Sequence, residues 1–215
     1  DHLHAAQVGV PEDWHLLHLA AQDHHREQAG AAQVGAGEVG ALAAGAIGNL
    51  LPGGRPVSDA AARVDIQSAW GVDSLPSNPG KATWEILEAA TDGRLNAIVV
   101  GGVDPLDISS EALGQLLDTQ TFVLSLEIAH SAITAIADVV LPVAATAEKS
   151  GTFLNWEGRP RAFEKALTDS LTRSDTRILS ALADEMGTPI NLPSAKAVAK
   201  EIQAIGSWDG ALVAA

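Results

Sequence analysis

The sequence predicts an α/β fold, a partial doubly wound (Rossmann-like) parallel sheet with flanking helices. Residues 95–100 (LNAIVV), 121–126 (TFVLSL) and 139–141 (VVL) are short apolar runs rich in β-branched side chains. Such runs suit strands buried on both faces. Helical segments separate them, and strand–helix alternation of this kind implies a parallel sheet. Glycines and charged residues gather just past the runs, at Gly101-Gly102 and at Glu148-Lys149-Ser150-Gly151. The carboxyl edge of an open α/β sheet is where ligands sit, so these residues are the first candidates for a site.

The chain has 215 residues and 47% hydrophobic content, enough for one large domain or one and a half ordinary ones. Thirteen basic residues against 27 acidic ones leave a formal net charge of −14. A nucleic-acid role needs a basic face to neutralise phosphates, and docking on anionic lipid needs the same, so the charge argues against both. Cysteine is absent. Disulfides, zinc–thiolate sites, cysteine nucleophiles and iron–sulfur clusters with ordinary thiolate ligation are therefore excluded from these residues. No window reaches the run of about eighteen apolar residues expected of a transmembrane helix. The opening Asp1-His2-Leu3-His4 lacks the basic region and apolar run of a secretory signal. The expectation is a soluble chain, or one held at a membrane through partners, and a cytoplasmic location is compatible with it.

Residues 1–39 read as an atypical histidine-rich segment, holding His2, His4, His15, His18, His24 and His25. Residues 12–28 predict a helix, with Pro11 suited to its first turn and few breakers behind it. His15 and His18 would share a face of that helix, with Asp23 or Glu27 as a further metal ligand. A polar terminal segment is the plainer reading, because the other partners of a specific metal site are not set out. The main domain is expected over 40–206, followed by a frayed tail over 207–215. Pro52-Gly53-Gly54-Arg55-Pro56 is loop. Its glycines have the freedom to cradle a phosphate, but no Lys-Ser/Thr follows as in a P-loop, and a surface turn is the better reading. Ser58 or Asp59 caps a helix over 60–70 that ends near Gly71. Thr83 caps another through Ala90, and Asp92-Gly93 turns the chain into the first strand.

Beyond the Gly101–Pro105 loop, Ser109 or Ser110 caps a helix over 111–118. A short helix or turn over 131–137 leads into the third strand, which Pro142 stops because it cannot donate to a ladder. Residues 152–155 and 156–159 read as extended segments, with Gly158 available for a positive φ. Phe153 and Trp156 are expected as buried aromatic anchors for this excursion. Residues 169–186 predict an amphipathic helix with Leu171, Ile178, Leu179 and Leu182 on one face, stopped by Gly187. Pro193 and Ser194 start a last helix reaching about Ile205.

The densest local signal, residues 137–161, resembles a known family. Ala137-Asp138-Val139-Val140-Leu141-Pro142, followed by Glu148-Lys149-x-Gly151-Thr152-Phe153-x-Asn155-x-Glu157-Gly158-Arg159, is similar to the signature of the molybdopterin oxidoreductase superfamily. Asn155-Trp156-Glu157-Gly158-Arg159 and the upstream NLLPGGRPV of residues 49–57 most resemble one branch of it. That branch is the G subunits of bacterial NADH-quinone oxidoreductase, respiratory complex I. The resemblance spans residues 40–193 and implies a molybdopterin oxidoreductase-like domain, a fragment corresponding to the C-terminal portion of a longer chain. It further implies a structural part of the peripheral arm, supporting electron transfer from NADH to quinone beside the other peripheral-arm subunits. The location it implies is cytoplasmic, at the inner face of the cell membrane and held there through the complex. The iron–sulfur clusters of the complete chains in this branch belong to domains preceding this region, so no cofactor is expected here. The chain alone is then a non-catalytic part of a multisubunit NADH dehydrogenase (quinone). The alternative is a fragment of a true molybdopterin-dependent oxidoreductase that keeps part of the nucleotide site for molybdopterin guanine dinucleotide.

Gly101-Gly102-Val103-Asp104-Pro105 resembles the Gly-x-Asn-Pro loop that molybdopterin enzymes place beside one nucleotide of the cofactor. Glycines after a strand let phosphates approach backbone N–H groups. Gly101, Gly102 and Asp104, with Ser125 and Glu127 ending the next strand, are thus the candidate, vestigial cofactor-binding residues. Asp104 stands where the family commonly has asparagine, and a carboxylate there repels phosphate. The metal-ligand loop of the family has no counterpart in the sequence, so neither a metal ligand nor a catalytic residue is expected. Asp138, Glu148, Gly151, Asn155, Glu157, Gly158 and Arg159 are assigned to a structural hydrogen-bond and ion-pair network. His130 reads as a structural histidine, and no Ser-His-Asp triad is evident.

Overall fold

The computed structural model describes residues 14–16, 44–103, 120–155, 157–168, 171–191 and 194–210. Its first element is a strand, β1 (Trp14–Leu16), paired in parallel with residues 97–99. The helix expected over 12–28 is corrected there, because pairing with a neighbouring strand overrides a weak helical signal. His15 consequently lies on a strand and not on a helical face shared with His18, which falls outside the described residues.

β2 (Leu50–Leu51) and β3 (Arg55–Pro56) form an antiparallel ribbon around the 3-10 turn Pro52–Gly54. α1 (Ala60–Trp70) starts where Asp59 Oδ1 accepts from the N–H groups of Ala61 and Ala62, at 2.8 and 3.0 Å. It stops at Gly71, whose φ of 66° is the left-handed conformation that glycine adopts without strain. α2 is Thr83–Thr91. Thr83 is its first residue and not its cap. Ala82 occupies the cap position, and its N–H donates to Glu85 Oε2 at 2.7 Å, so the acid three residues in does the capping.

β4 (Ala97–Gly101), β5 (Phe122–Glu127) and β6 (Val139–Pro142) are parallel, and the sheet runs β1-β4-β5-β6. The short α3 (Ala132–Ile136), capped by Ser131, joins β5 to β6. β7 (Gly151–Leu154) and β8 (Pro160–Phe163) then make an antiparallel hairpin outside the sheet. α4 (Asp175–Glu185) and α5 (Ala195–Ile205) complete the chain. The helix expected over 111–118 falls outside the described residues.

Both faces of the sheet are covered, as a parallel sheet requires. Ile98, Val100 and Val123 pack with Ile86, Leu87 and Ala90 of α2 and Ile133 of α3 on one face. Val99, Leu124 and Leu126 pack with Leu179 of α4 on the other. The exception is β6, expected to be buried on both faces. Val139 and Val140 are each 38% exposed, because β6 is the outermost strand of this sheet among the described residues.

Two further expectations are corrected by the structure. Residues 157–159 are not extended: with Asn155 they form the turn of the β7–β8 hairpin, and Gly158 has a φ of +76°. Leu171 is not on the buried face of a helix from 169 but fully exposed, since α4 begins only at Asp175. Arg173 instead pairs with Val143 in a parallel bridge, which holds this segment extended.

A smaller cluster, Leu51, Val57 and Ile66 with Trp70, Leu75 and Ile205 against it, joins the ribbon to α1 and α5. Arg55 is its centre. Nη1 donates to the carbonyls of Pro52 (3.1 Å) and Gly206 (2.9 Å), Nη2 to that of Ile205 (3.1 Å), and Nε to Asp65 (3.3 Å). A cation on the last carbonyls of α5 satisfies groups the helix itself leaves orphaned. Trp208 N–H donates to the Gly53 carbonyl at 2.8 Å, and the Arg55 guanidinium lies over the Trp208 ring. Trp208, in the tail expected to be frayed, is therefore tied into the fold.

Candidate functional site

The carboxyl ends of β4, β5 and β6 lie on one edge of the sheet, as parallel pairing dictates. Gly101 stands beside Leu126, and Gly102 N–H reaches the Leu126 carbonyl at 3.3 Å. Gly102 turns with a φ of +64°. The Glu127 carboxylate lies beside the backbone N–H groups of Val103 and Gly102. Burial pushes the Glu127 carboxyl above its ordinary 4.5, and the nearby Asp175 carboxylate adds to the push; the two backbone N–H groups pull the other way.

Ser125 lies two residues back on the same face of β5, opposite Val100 and wholly inside the core. It is therefore beneath the edge rather than at it. Ser125 Oγ and Glu127 Oε1 are buried and have no hydrogen-bond partner among the described residues. Gly101, Gly102, Ser125 and Glu127 thus gather around one strand end, whereas Asp104 falls outside the described residues. His130 is exposed in the loop after β5.

Past β6, Val143 N–H donates to the Glu127 carbonyl (3.1 Å) and Ala144 N–H to the Arg173 carbonyl (2.8 Å). Glu148 Oε2 accepts from Ala145 N–H at 2.9 Å and from Thr172 Oγ1 at 3.0 Å. Lys149 Nζ meets Asp175 Oδ2 at 2.7 Å, with the two side chains 17% and 9% exposed. Asp175 also sits in the first turn of α4, where the helix dipole favours a negative charge. Asp175 and Thr172 are contributors the sequence reading missed. The signal was present in Ser174-Asp175, a cap-like pair before an apolar periodic run.

The remaining motif residues do not join this cluster. Asp138 is at the opposite, amino edge of the sheet, where its Oδ2 accepts from Val123 N–H at 2.7 Å. Gly151 is buried at the base of the β7–β8 hairpin. Asn155 closes the far end of that hairpin, its Oδ1 accepting from the N–H groups of Glu157 (3.1 Å) and Arg159 (2.8 Å). Four residues of strand, about 13 Å, separate base from tip. Arg159 Nε approaches Glu157 Oε2 at 3.3 Å in solvent. Phe153, expected to be buried, is 55% exposed and stacks on Phe163 with ring centroids 4.6 Å apart. Trp156 falls outside the described residues.

The Pro52–Gly54 turn is already occupied by protein at Gly53. A Cβ at Gly53 would collide with the Gly206 carbonyl and the Arg55 guanidinium, so protein already fills that space. Leu51, Pro52 and Arg55 are buried, which also corrects the reading of this stretch as a surface turn.

Parallel strands sandwiched by helices, with glycines at their carboxyl edge, define an α/β domain of the doubly wound class. The molybdopterin oxidoreductase family model matches residues 2–185, and the chain belongs to that family. The match starts well before residue 40, so it takes in the histidine-rich stretch that the motifs alone leave outside. The chain is 49% identical over 169 residues to the G subunit of the NADH-quinone oxidoreductase of Mycobacterium bovis, covering 77% of this chain and 21% of the relative. It is also 49% identical over 171 residues to the corresponding G subunit of Streptomyces coelicolor, covering 77% and 20%. Formate dehydrogenase H of Escherichia coli is 29% identical over 161 residues, covering 74% and 22%. The chain thus spans about a fifth of the length of the curated relatives it matches.

The family implies a molybdopterin cofactor, and the residues at the sheet edge do not fit its phosphates. The Glu127 carboxylate lies beside the backbone N–H groups of Gly102 and Val103, with Asp175 as a second acid nearby, so a phosphate there would meet two carboxylates. Among the described residues, no three histidine, aspartate or glutamate side chains are grouped as metal ligands. Nor is any helix there long and apolar enough to cross a membrane.

Proposed function

We propose that this domain is a structural part of the peripheral arm of an NADH-quinone oxidoreductase. It supports electron transfer from NADH to quinone without holding the iron–sulfur clusters, and it lies at the inner face of the cell membrane through its partner subunits. The observation that carries this reading is where the polar motif residues direct their hydrogen bonds. Asp138, Glu148 and Asn155 each hold backbone N–H groups of the domain itself, at 2.7, 2.9 and 2.8 Å. Groups used in this way hold loops together and are not free to move protons. The 49% identity to two G subunits, against 29% to a formate dehydrogenase, supports the same choice.

A second reading, a fragment of a molybdopterin-dependent oxidoreductase retaining part of a nucleotide site, is favoured by one observation only. Ser125 Oγ and Glu127 Oε1 are buried polar atoms without partners among the described residues, as a ligand-binding edge can leave them. Affinity purification of the protein from membranes of its own cells separates the readings. NADH:quinone reductase activity recovered at a fixed ratio to the chain is the expected result. Recovery without that activity, with molybdenum bound instead, overturns it.

A further inference from the structure

The β7–β8 hairpin stands outside the parallel sheet and presents one aromatic and cationic face. Cross-strand partners share a face, as do residues two apart, so Phe153, opposite Arg161, lies on the same side as Phe163, opposite Gly151. The two rings stack with centroids 4.6 Å apart, yet Phe153 stays 55% exposed. Arg161 beside it is exposed; its guanidinium donates to the Pro160 carbonyl at 3.0 Å and meets no carboxylate among the described residues. Arg159, by contrast, is paired with Glu157. Leu167, whose N–H donates to the Ala147 carbonyl at 2.9 Å, adds a further exposed apolar side chain four residues past the hairpin. We propose that the Phe153–Arg161–Phe163 face is a docking surface for an acidic segment of another polypeptide, which lays an apolar side chain on the Phe153 ring and a carboxylate on Arg161.

The side chains and the charge together choose that occupant. Aromatic residues and arginine are enriched at protein interfaces, and arginine recurs among the residues that dominate their binding energy. Residues 1–148 hold five basic and nineteen acidic side chains, the whole of the net charge of −14, whereas residues 149–215 hold eight of each. Within 151–163 the balance turns positive, with Arg159 and Arg161 against Glu157. An acidic segment is therefore repelled by most of the chain and attracted here, which fixes where it lands. A short segment offers its charge locally to Arg161. A second copy of this chain, or an anionic membrane, carries a broad negative field that the net −14 repels.

The inference deepens the structural reading of the domain by naming a surface through which a partner subunit is held, and it fails separately from that reading. The test places the photo-reactive p-benzoylphenylalanine at Phe153 of the protein in its own cells, irradiates them, and sequences the adduct by mass spectrometry after purification. The expected adduct joins a polypeptide other than this chain, through a peptide of net negative charge. Arg161→Glu in the same background should lower its yield roughly fivefold or more, and Arg161→Lys should keep most of it. Should Arg161→Glu fail to fold, Arg161→Gln takes its place, with a loss of about twofold expected. The proposal is overturned by an adduct only with a second copy, with lipid or with a basic peptide, by no adduct at all, or by a yield unmoved in the folded charge variant. If the chain then still purifies with NADH:quinone reductase activity, the docking surface falls and the subunit reading stands. An acidic adduct that Arg161→Glu abolishes, on a chain without that activity, keeps the docking surface and removes the subunit reading.

Discussion

The Arg55 clasp and the carboxyl edge of the sheet are both built from charge placed beside glycine-bearing turns, and they differ in how that charge is satisfied. At the clasp the guanidinium is 6% exposed and donates to three carbonyls and one carboxylate. At the sheet edge and just beneath it two polar oxygens are buried with no partner among the described residues, and two acids lie close together. Planar guanidinium geometry suits a fixed set of acceptors, and a set so complete leaves nothing for a ligand. The sheet edge is held instead by backbone N–H groups and one ion pair. The first region is a fastening, and the second keeps buried polar oxygens that no described residue satisfies.

Arg55→Ala should be the most damaging change, lowering stability by on the order of 4 kcal/mol, because charge-assisted bonds are worth roughly 1.5–3 kcal/mol each and are not additive. Chemical denaturation measures it, and a loss under 1 kcal/mol would mean the clasp is decorative. Lys149→Met should follow at about 3 kcal/mol, leaving Asp175 without its ammonium partner. That is the lower end of the expected range, since Asp175 keeps the favourable helix terminus.

Glu127→Gln acts in the opposite sense. Burial raises the Glu127 carboxyl above 4.5, so the folded protein holds that proton more tightly than the unfolded chain does. The stability this provides is fully present below 4.5 and is lost as pH rises through the raised folded value. Melting temperature measured from pH 4 to pH 8 should therefore fall less steeply in the variant than in the wild type. A variant as steep as the wild type would contradict the burial of this group.

Phe153→Ala should lower stability by only about 1 kcal/mol, because the ring is 55% exposed and chiefly stacks on Phe163. Ser125→Ala is the smallest change, neutral or stabilising by up to about 1 kcal/mol, since it removes a buried hydroxyl with no partner among the described residues. A marked loss there would reveal a partner for that hydroxyl and weaken the contrast between the two regions.

Much of the fold was legible because local chemistry agrees with it. Asp59, Gly71, Ser131 and Ser194 mark the ends of helices where cap and stop signals place them. The strands around Val99, Leu124 and Val140 follow from apolar runs. The misreadings share a cause, which is that the deciding partner is remote in sequence. Nothing local says that β6 is outermost in the sheet among the described residues, and so Val139 and Val140 read as buried. The bridge between Arg173 and Val143 keeps Leu171 out of the helix its periodicity suggests. Trp14–Leu16 is drawn into a strand by residues 97–99. At the candidate site the glycines and Glu127 were legible individually, but their approach was not, because Gly102 and Glu127 stand 25 positions apart and β4–β5 pairing brings them together.

The central claim is that this domain contributes structure and not turnover. It is tested most directly by introducing Lys149→Met into the protein in its own cells and measuring two quantities, the amount of assembled NADH-quinone oxidoreductase and its NADH:quinone turnover per complex. Assembly should fall while the complexes that do form turn over at the wild-type rate. Normal assembly with turnover lost would contradict it.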